Sequence, residues 1–147
     1  SHITEKGMDD VAALSDSPLI ASHSNAYALC QSPRNLTDRQ LAMISESGGI
    51  VGLNYATMFL REDGSLDPDT DWDTLLRHLD YLIAKLGEDH VGLGSDFDGA
   101  NIPDCLGDVA GLQTFMSVLG SHGFDAPLIE KLAHRNWLSV LRKTWGD

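Results

Sequence analysis

His90-Val91-Gly92-Leu93-Gly94-Ser95-Asp96-Phe97-Asp98-Gly99 reads as an apolar strand of small residues that delivers two carboxylates into a glycine turn. In barrel enzymes the C-terminal end of such a strand is where chemistry is kept. Side chains alternate along a strand, so Asp96 and Asp98 share one face if extended backbone continues through Phe97. Asp98-Gly99 is also an ordinary turn signal, with Asp96 capping whatever follows. The stretch alone leaves both readings open.

Outward from it, short apolar segments alternate with longer amphipathic ones, the pattern of parallel strands joined by crossover helices. Leu19-Ile20-Ala21-Ser22 and Gly49-Ile50-Val51-Gly52-Leu53-Asn54 read as strands, and a further strand is expected to end at Ser1-His2. A helical stretch runs from Thr4 to about Leu14. Thr37 is placed as a helix N-cap with Gln40 three residues on and Leu36 poised to staple onto Leu41, and Gly48-Gly49 ends that helix. Trp72, Leu75, Leu76, Leu79, Ile83 and Leu86 form one helical stripe closed by Gly87. Ile129, Leu132, Ala133, Asn136, Trp137, Val140 and Leu141 form another, opened by Asp125 and Pro127. Both stripes belong to the core.

No Gly-x-Gly-x-x-Gly fingerprint follows a strand and no phosphate loop is present, which favours a barrel over a dinucleotide-binding sheet. A complete barrel needs roughly 250 residues. The 147 residues are therefore expected to form one unit, residues 1–147, an α/β fold that is the C-terminal portion of a (β/α)8 TIM barrel. With 42% apolar residues the chain can bury a core. Acidic residues outnumber basic ones 22 to 10, for a net charge of −12, which argues against a nucleic-acid partner. No apolar run approaches the roughly 20 residues of a membrane span. Two cysteines, Cys30 and Cys105, suit a reduced cytoplasmic protein, and the start at Ser1 suggests a piece of a longer chain.

Several side chains could carry chemistry. His23 leaves the strand that begins at Leu19, between Ser22 and Ser24, where an imidazole would face a ligand and could bind zinc. A hydrogen-bonded structural histidine would look the same. His2 occupies the equivalent strand-end position one βα unit earlier, and neighbouring strand ends lie about 5 Å apart, close enough for two rings to share a metal. Arg34 follows Pro33 on the loop after the His23 strand, where a guanidinium could clamp a substrate carboxylate or simply be a surface arginine. His78-Leu79-Asp80 imitates a His-x-Asp metal motif, but on a helix residues two apart diverge by about 200°, so it reads as solvated helix surface. His90, at the start of a strand, His122, in a loop, and His134, in a helix, have no acidic partner at ligand spacing and read as structural.

Ser1-His2-Ile3-Thr4, Ser22-His23-Ser24-Asn25-Ala26, Pro33-Arg34-Asn35-Leu36-Thr37-Asp38, Gly49-Ile50-Val51-Gly52-Leu53-Asn54 and Gly92-Leu93-Gly94-Ser95-Asp96-Phe97-Asp98-Gly99, in this order, closely resemble the membrane (renal) dipeptidase family. The resemblance extends along essentially the whole chain. It implies a (β/α) barrel of the metal-dependent amidohydrolase type holding two zinc ions that cleave dipeptides. It implies His2 and His23 as ligands of one metal, Arg34 as the receiver of the substrate's terminal carboxylate, and Asp96 as a catalytic carboxylate. Asp98 is left as a turn or supporting residue, and Phe59 stands nearest to an aromatic that helps hold the substrate carboxylate in relatives.

The family's strand-borne His-x-Asp, bridging Glu and further substrate-binding His belong to the N-terminal barrel half and are missing here. The resemblance thus implies a half-barrel that needs its N-terminal partner half, is inactive alone, takes a dipeptide substrate and is compatible with a homodimer. Two alternatives stand beside it. One is an amidohydrolase acting on N-acyl amino acids or lactones, and the other is a non-catalytic half-barrel fragment.

Overall fold

Parallel pairing of three apolar segments organises the chain, whose computed structural model describes residues 1–146. Strands β1 (Ile20–Ala21), β2 (Ile50–Asn54) and β3 (Val91–Ser95) lie in the order β1-β2-β3. Ile20 faces Ile50, Val51 faces Val91 and Leu53 faces Leu93. Beyond Leu53 the register slips, so that Asn54 faces Ser95. The extra residue, Gly94, lies in β3, and such a bulge bends the strand that carries it.

Around the sheet stand α1 (Glu5–Leu14), α2 (Asp38–Glu46), α3 (Thr57–Leu60), α4 (Trp72–Leu86), α5 (Leu112–His122), α6 (Ala126–Glu130) and α7 (Asn136–Trp145). Local chemistry sets most of their starts. Thr37 accepts the Gln40 N–H while the Gln40 side chain accepts the Thr37 N–H, a reciprocal capping box. Thr4, Asp71 and Asp125 cap α1, α4 and α6 by accepting from Gly7, Thr74 and Leu128. Leu36 and Leu41, on either side of the Thr37 cap, are both buried in the core.

Helix α4 buries Leu75, Leu76, Leu79, Leu82 and Leu86 against Leu41, Ile44, Val51, Leu53 and Val91. At about 1.5–3 kcal/mol per fully buried aliphatic side chain, this layer is a main source of stability. Trp72 stacks on Phe115 of α5 with ring centroids 5.3 Å apart, and so joins α4 to α5.

Four expectations need correction. Residues 1 and 2 form no strand, and the first helix begins at Glu5 after its cap Thr4. The segment around His122 is not a loop: residues 112–122 are helical, with Phe115 and Leu119 buried, and the helix stops at Gly123, whose φ is 111°. The C-terminal stripe is not one regular helix, because Lys131–Arg135 forms a π-helical turn between α6 and α7. Directly after that turn, Asn136 donates to the carbonyls of Glu88 and Val91, and Trp137 Nε1 donates to Leu93 O. The change of helical phase accompanies side chains that satisfy strand carbonyls, which an uninterrupted apolar stripe does not foresee. Finally, extended geometry does not continue past β3. Ser95 and Asp96 have φ of 62° and 86°, and Gly99 N–H closes a turn onto Asp96 O at 3.1 Å. Asp96 and Asp98 therefore do not share a strand face.

Candidate active site

The loop leaving β1 crosses the sheet at Gly52 and Gly94. A Cβ on either residue would overlap the Ser22 carbonyl, so only glycine lets the chain pass this close. That crossing delivers His23 to the C-terminal ends of β2 and β3. Its backbone N–H and the Ser24 hydroxyl both donate to Ser1 Oγ, at 3.1 and 3.2 Å, which ties the loop to the segment bearing His2.

The two imidazoles meet. His2 Nε2 and His23 Nε2 are 3.1 Å apart, with ring centroids at 5.2 Å. Two nitrogens on a common zinc, each at ~2.0–2.1 Å, stand about 3.3 Å apart in tetrahedral geometry. The pair therefore fits two positions of one coordination shell. His23 Nδ1 lies 2.7 Å from Ser22 Oγ, a hydroxyl that can accept the Nδ1–H hydrogen bond and so leave Nε2 unprotonated and free to ligate. Burial lowers the His23 pKa, with Arg34 and His2 pushing the same way and Asp96 opposing, which favours the neutral, metal-binding form. His2 is arranged differently. Arg34 Nη1 donates to His2 Nδ1 at 3.1 Å, so the His2 proton sits on Nε2 in this arrangement. Ligation through Nε2 requires that proton to leave or move, and a proton on Nδ1 would turn Arg34 away.

Arg34 has little else to hold. Its guanidinium carbon lies 5.1 Å from the Phe59 ring centroid, while Nε and Nη2 are buried without any partner. Unpaired buried guanidinium donors carry a desolvation penalty unless an acceptor arrives. Arg34 lines a cleft of about 440 Å³ together with His2, Phe59, Asp96 and Asn101. Asp96 enters from the β3 side, its Oδ2 accepting from Asn54 Nδ2 at 3.0 Å. Asp98 is exposed and borders a separate outer hollow with Asp96 and Asp108.

Among the described residues, no group of three or more His, Cys, Asp or Glu side chains stands at metal-ligand spacing. The chain thus presents two imidazoles, one carboxylate and one guanidinium at a single rim, short of a full coordination shell. The sequence reading missed Asn54 and Ser22; the signal available for each was its place at the C-terminal end of an apolar strand.

Two other histidines depart from expectation. His78 is not solvated: it is 1% exposed, accepts the Ala26 N–H at Nδ1 and lies 2.9 Å from Leu60 O at Nε2. Asp80 is exposed on another side of α4, so the His-x-Asp pair indeed cannot chelate. His122 does have an acidic partner, Asp80 at 2.9 Å, across two helices rather than nearby in sequence. His90 caps the Gly49 carbonyl at 2.7 Å, a structural contact. Cys30 and Cys105 are free thiols. No helix among the described residues is long and apolar enough to cross a membrane.

The chain matches a solved structure of the dipeptidase AC, a metallopeptidase of family M19, at 60% identity and a TM-score of 0.98, covering 100% of this chain and 44% of that one. It matches a metallopeptidase from Rhodobacter sphaeroides, solved with a phosphinate mimic of the dipeptide L-Ala-D-Ala, at 61% identity and a TM-score of 0.97, covering 99% of this chain and 41% of that one. An uncharacterized protein encoded in the pqqA 5′ region of Klebsiella pneumoniae is 55% identical over 145 residues, 99% of this chain and 54% of that protein. The chain thus spans about half the length of the proteins it matches. The model of the membrane dipeptidase family covers residues 1–145. An α/β chain with a parallel sheet of this shape, matched along nearly its whole length, belongs to the membrane dipeptidase family, peptidase family M19, a family of metallopeptidases.

Proposed function

We propose that this chain contributes one rim of a zinc-dependent dipeptidase site, as the C-terminal part of a (β/α)8 barrel whose N-terminal half supplies the remaining ligands. The observation that carries the reading is Arg34: it has two buried donors without an acceptor among the described residues, and it lines one cleft together with His2, whose ring meets His23, and Asp96. A free α-carboxylate is the group such a fork accepts best.

In this reading His2 and His23 hold one zinc of a binuclear pair. When bound, the metal pair lowers the pKa of a water and polarises the scissile carbonyl. The chain's own residues then divide the remaining work. Ser22 keeps the His23 proton on Nδ1. Arg34 leaves His2 and takes the substrate's terminal carboxylate, while Phe59 stacks on the guanidinium and limits where it can swing. That contact fixes the peptide bond relative to Asp96. Asp96, near the substrate amine and the attacking water, accepts a proton and passes it to the leaving amine.

A substrate panel tests this: free dipeptides, N-acyl amino acids and lactones offered to the zinc-loaded full-length protein. Hydrolysis of dipeptides with much weaker turnover of the other two classes is the expected result. Preference for acylated amino acids or lactones would overturn the dipeptide assignment, and no hydrolysis of any class would overturn the catalytic reading.

A further inference from the structure

We infer that Asn54 is a positioning residue that holds Asp96 in its working orientation, an inference that rests on the dipeptidase reading only for what Asp96 does. Asp96 stands on backbone that a non-glycine residue rarely adopts, with φ of 86° immediately after Ser95 at 62°. Such a residue persists only where its surroundings over-determine it. Its carbonyl closes the turn onto Gly99. Its Oδ2 accepts from Asn54 Nδ2 at 3.0 Å, and its Oδ1 rides over Gly99, where a Cβ would come within 2.7 Å. One oxygen is held and the other is left beside the cleft.

Asn54 cannot do this by accident of rotamer. Its Oδ1 accepts the Ala56 N–H at 2.7 Å, so a flipped amide would set N–H against N–H and carbonyl against carboxylate. The extra residue of the bulge is Gly94 of β3, which brings Ser95 opposite Asn54, and Asn54 is 1% exposed. Its backbone is clamped in turn by Asn25, whose Oδ1 accepts the Asn54 N–H and whose Nδ2 donates to Asn54 O, both at 2.9 Å. Asn35 Oδ1 accepts the Asn25 N–H at 3.3 Å, and Asn35 Nδ2 donates to Cys30 O and Phe59 O. A buried chain of three carboxamides thus runs from the residue beside Arg34 to Asp96. Fully satisfied polar networks of this kind fix geometry more tightly than apolar packing does.

The test replaces Asn54 in the zinc-loaded full-length protein. N54D keeps the shape and the acceptor for Ala56 but sets a second carboxylate oxygen against Asp96 Oδ2, and two carboxylates this close share a proton. The acid limb of kcat/KM is expected to move up by about one pH unit or more. The groups facing Asp96, namely His2, His23 and Arg34 on the cleft side and Asp98 and Asp108 on the outer side, are unchanged in the variant. N54A is expected to lower kcat at least tenfold with KM within about twofold of wild type and zinc content unchanged. A wild-type pH profile in N54D together with wild-type kcat in N54A would overturn the role. If N54D does not fold, the kcat against KM split in N54A decides alone. Carbon-13 titration of the Asp96 carboxyl in wild type and N54D needs no substrate. It therefore tests the positioning role even if the wild-type protein proves to hydrolyse no dipeptide, an outcome that would sink the functional reading and not this one.

Discussion

His78 of α4 and Ala26 of the loop after His23 are joined by a buried hydrogen bond of 3.2 Å, spanning 52 residues of sequence. The ring accepts the Ala26 N–H at Nδ1, and its other nitrogen donates to Leu60 O. It therefore works only as a neutral imidazole. Burial lowers its pKa to about 4, with the Leu60 carbonyl opposing and the nearby Arg77 assisting. The unfolded histidine titrates near 6.5, so between about pH 6.5 and 4 the unfolded chain binds more protons than the folded one. Stability must rise with pH through that window and be lost as pH falls through it, by on the order of 3 kcal/mol. Urea unfolding midpoints measured from pH 7 to pH 4 should fall in the wild type, and His78→Gln should flatten that slope. An equally steep slope in the variant would remove His78 as the cause.

How much of this was legible in the sequence depends on whether the decisive interaction was local. The Thr37–Gln40 capping box and the α4 stripe were, because three-residue and 3.6-residue spacings carry them. The nearness of His2 and His23 was expected from placing both at neighbouring strand ends, and they do meet although residue 2 lies in no strand; Arg34, on the loop after β1, joins them through His2 Nδ1. The exit from β3 could not. Neither Ser95 nor Asp96 is a glycine that would mark positive φ in the sequence; the turn onto Gly99 and the carboxamide of Asn54 accompany that conformation. The burial of His78 had a readable signal, since Leu75, His78 and Leu82 recur at helical spacing, but a motif-based reading of His-x-Asp looked past it.

The imidazole pair makes a separable claim. His23→Ala should remove tight zinc binding at one site of the full-length protein, measured as zinc per protein after dialysis. Ser22→Ala, which leaves the ligand but frees its Nδ1 proton, should weaken binding by only about 10- to 100-fold in a chelator competition. Normal zinc content in His23→Ala would contradict the assignment.

Arg34 should show itself in KM. Hydrogen bonds to a charged group are worth about 1.5–3 kcal/mol, so Arg34→Ala should raise KM for a free dipeptide by roughly 10- to 100-fold. The same substitution should leave KM for the C-terminally amidated peptide nearly unchanged. Arg34→Lys should rescue little, because an ammonium cannot offer the bidentate fork or place a guanidinium over the Phe59 ring. Equal effects on acid and amide substrates would argue against the clamp.

The glycine crossing beneath His23 links packing to the site. A methyl at residue 52 overlaps the Ser22 carbonyl, which is backbone and cannot rotate aside as a side chain would. Gly52→Ala should therefore destabilise by at least the ~1–3 kcal/mol typical of overpacking, and should weaken zinc binding because relief comes from shifting the loop that carries His23. Thr37→Ala provides the contrast. It removes a helix cap worth about 1 kcal/mol from α2 without touching that loop. Thermal unfolding and zinc titration together separate the two: both measurements should move in Gly52→Ala, and only the first in Thr37→Ala. Wild-type zinc affinity in a folded but destabilised Gly52→Ala would mean that the loop over the sheet does not set the position of His23.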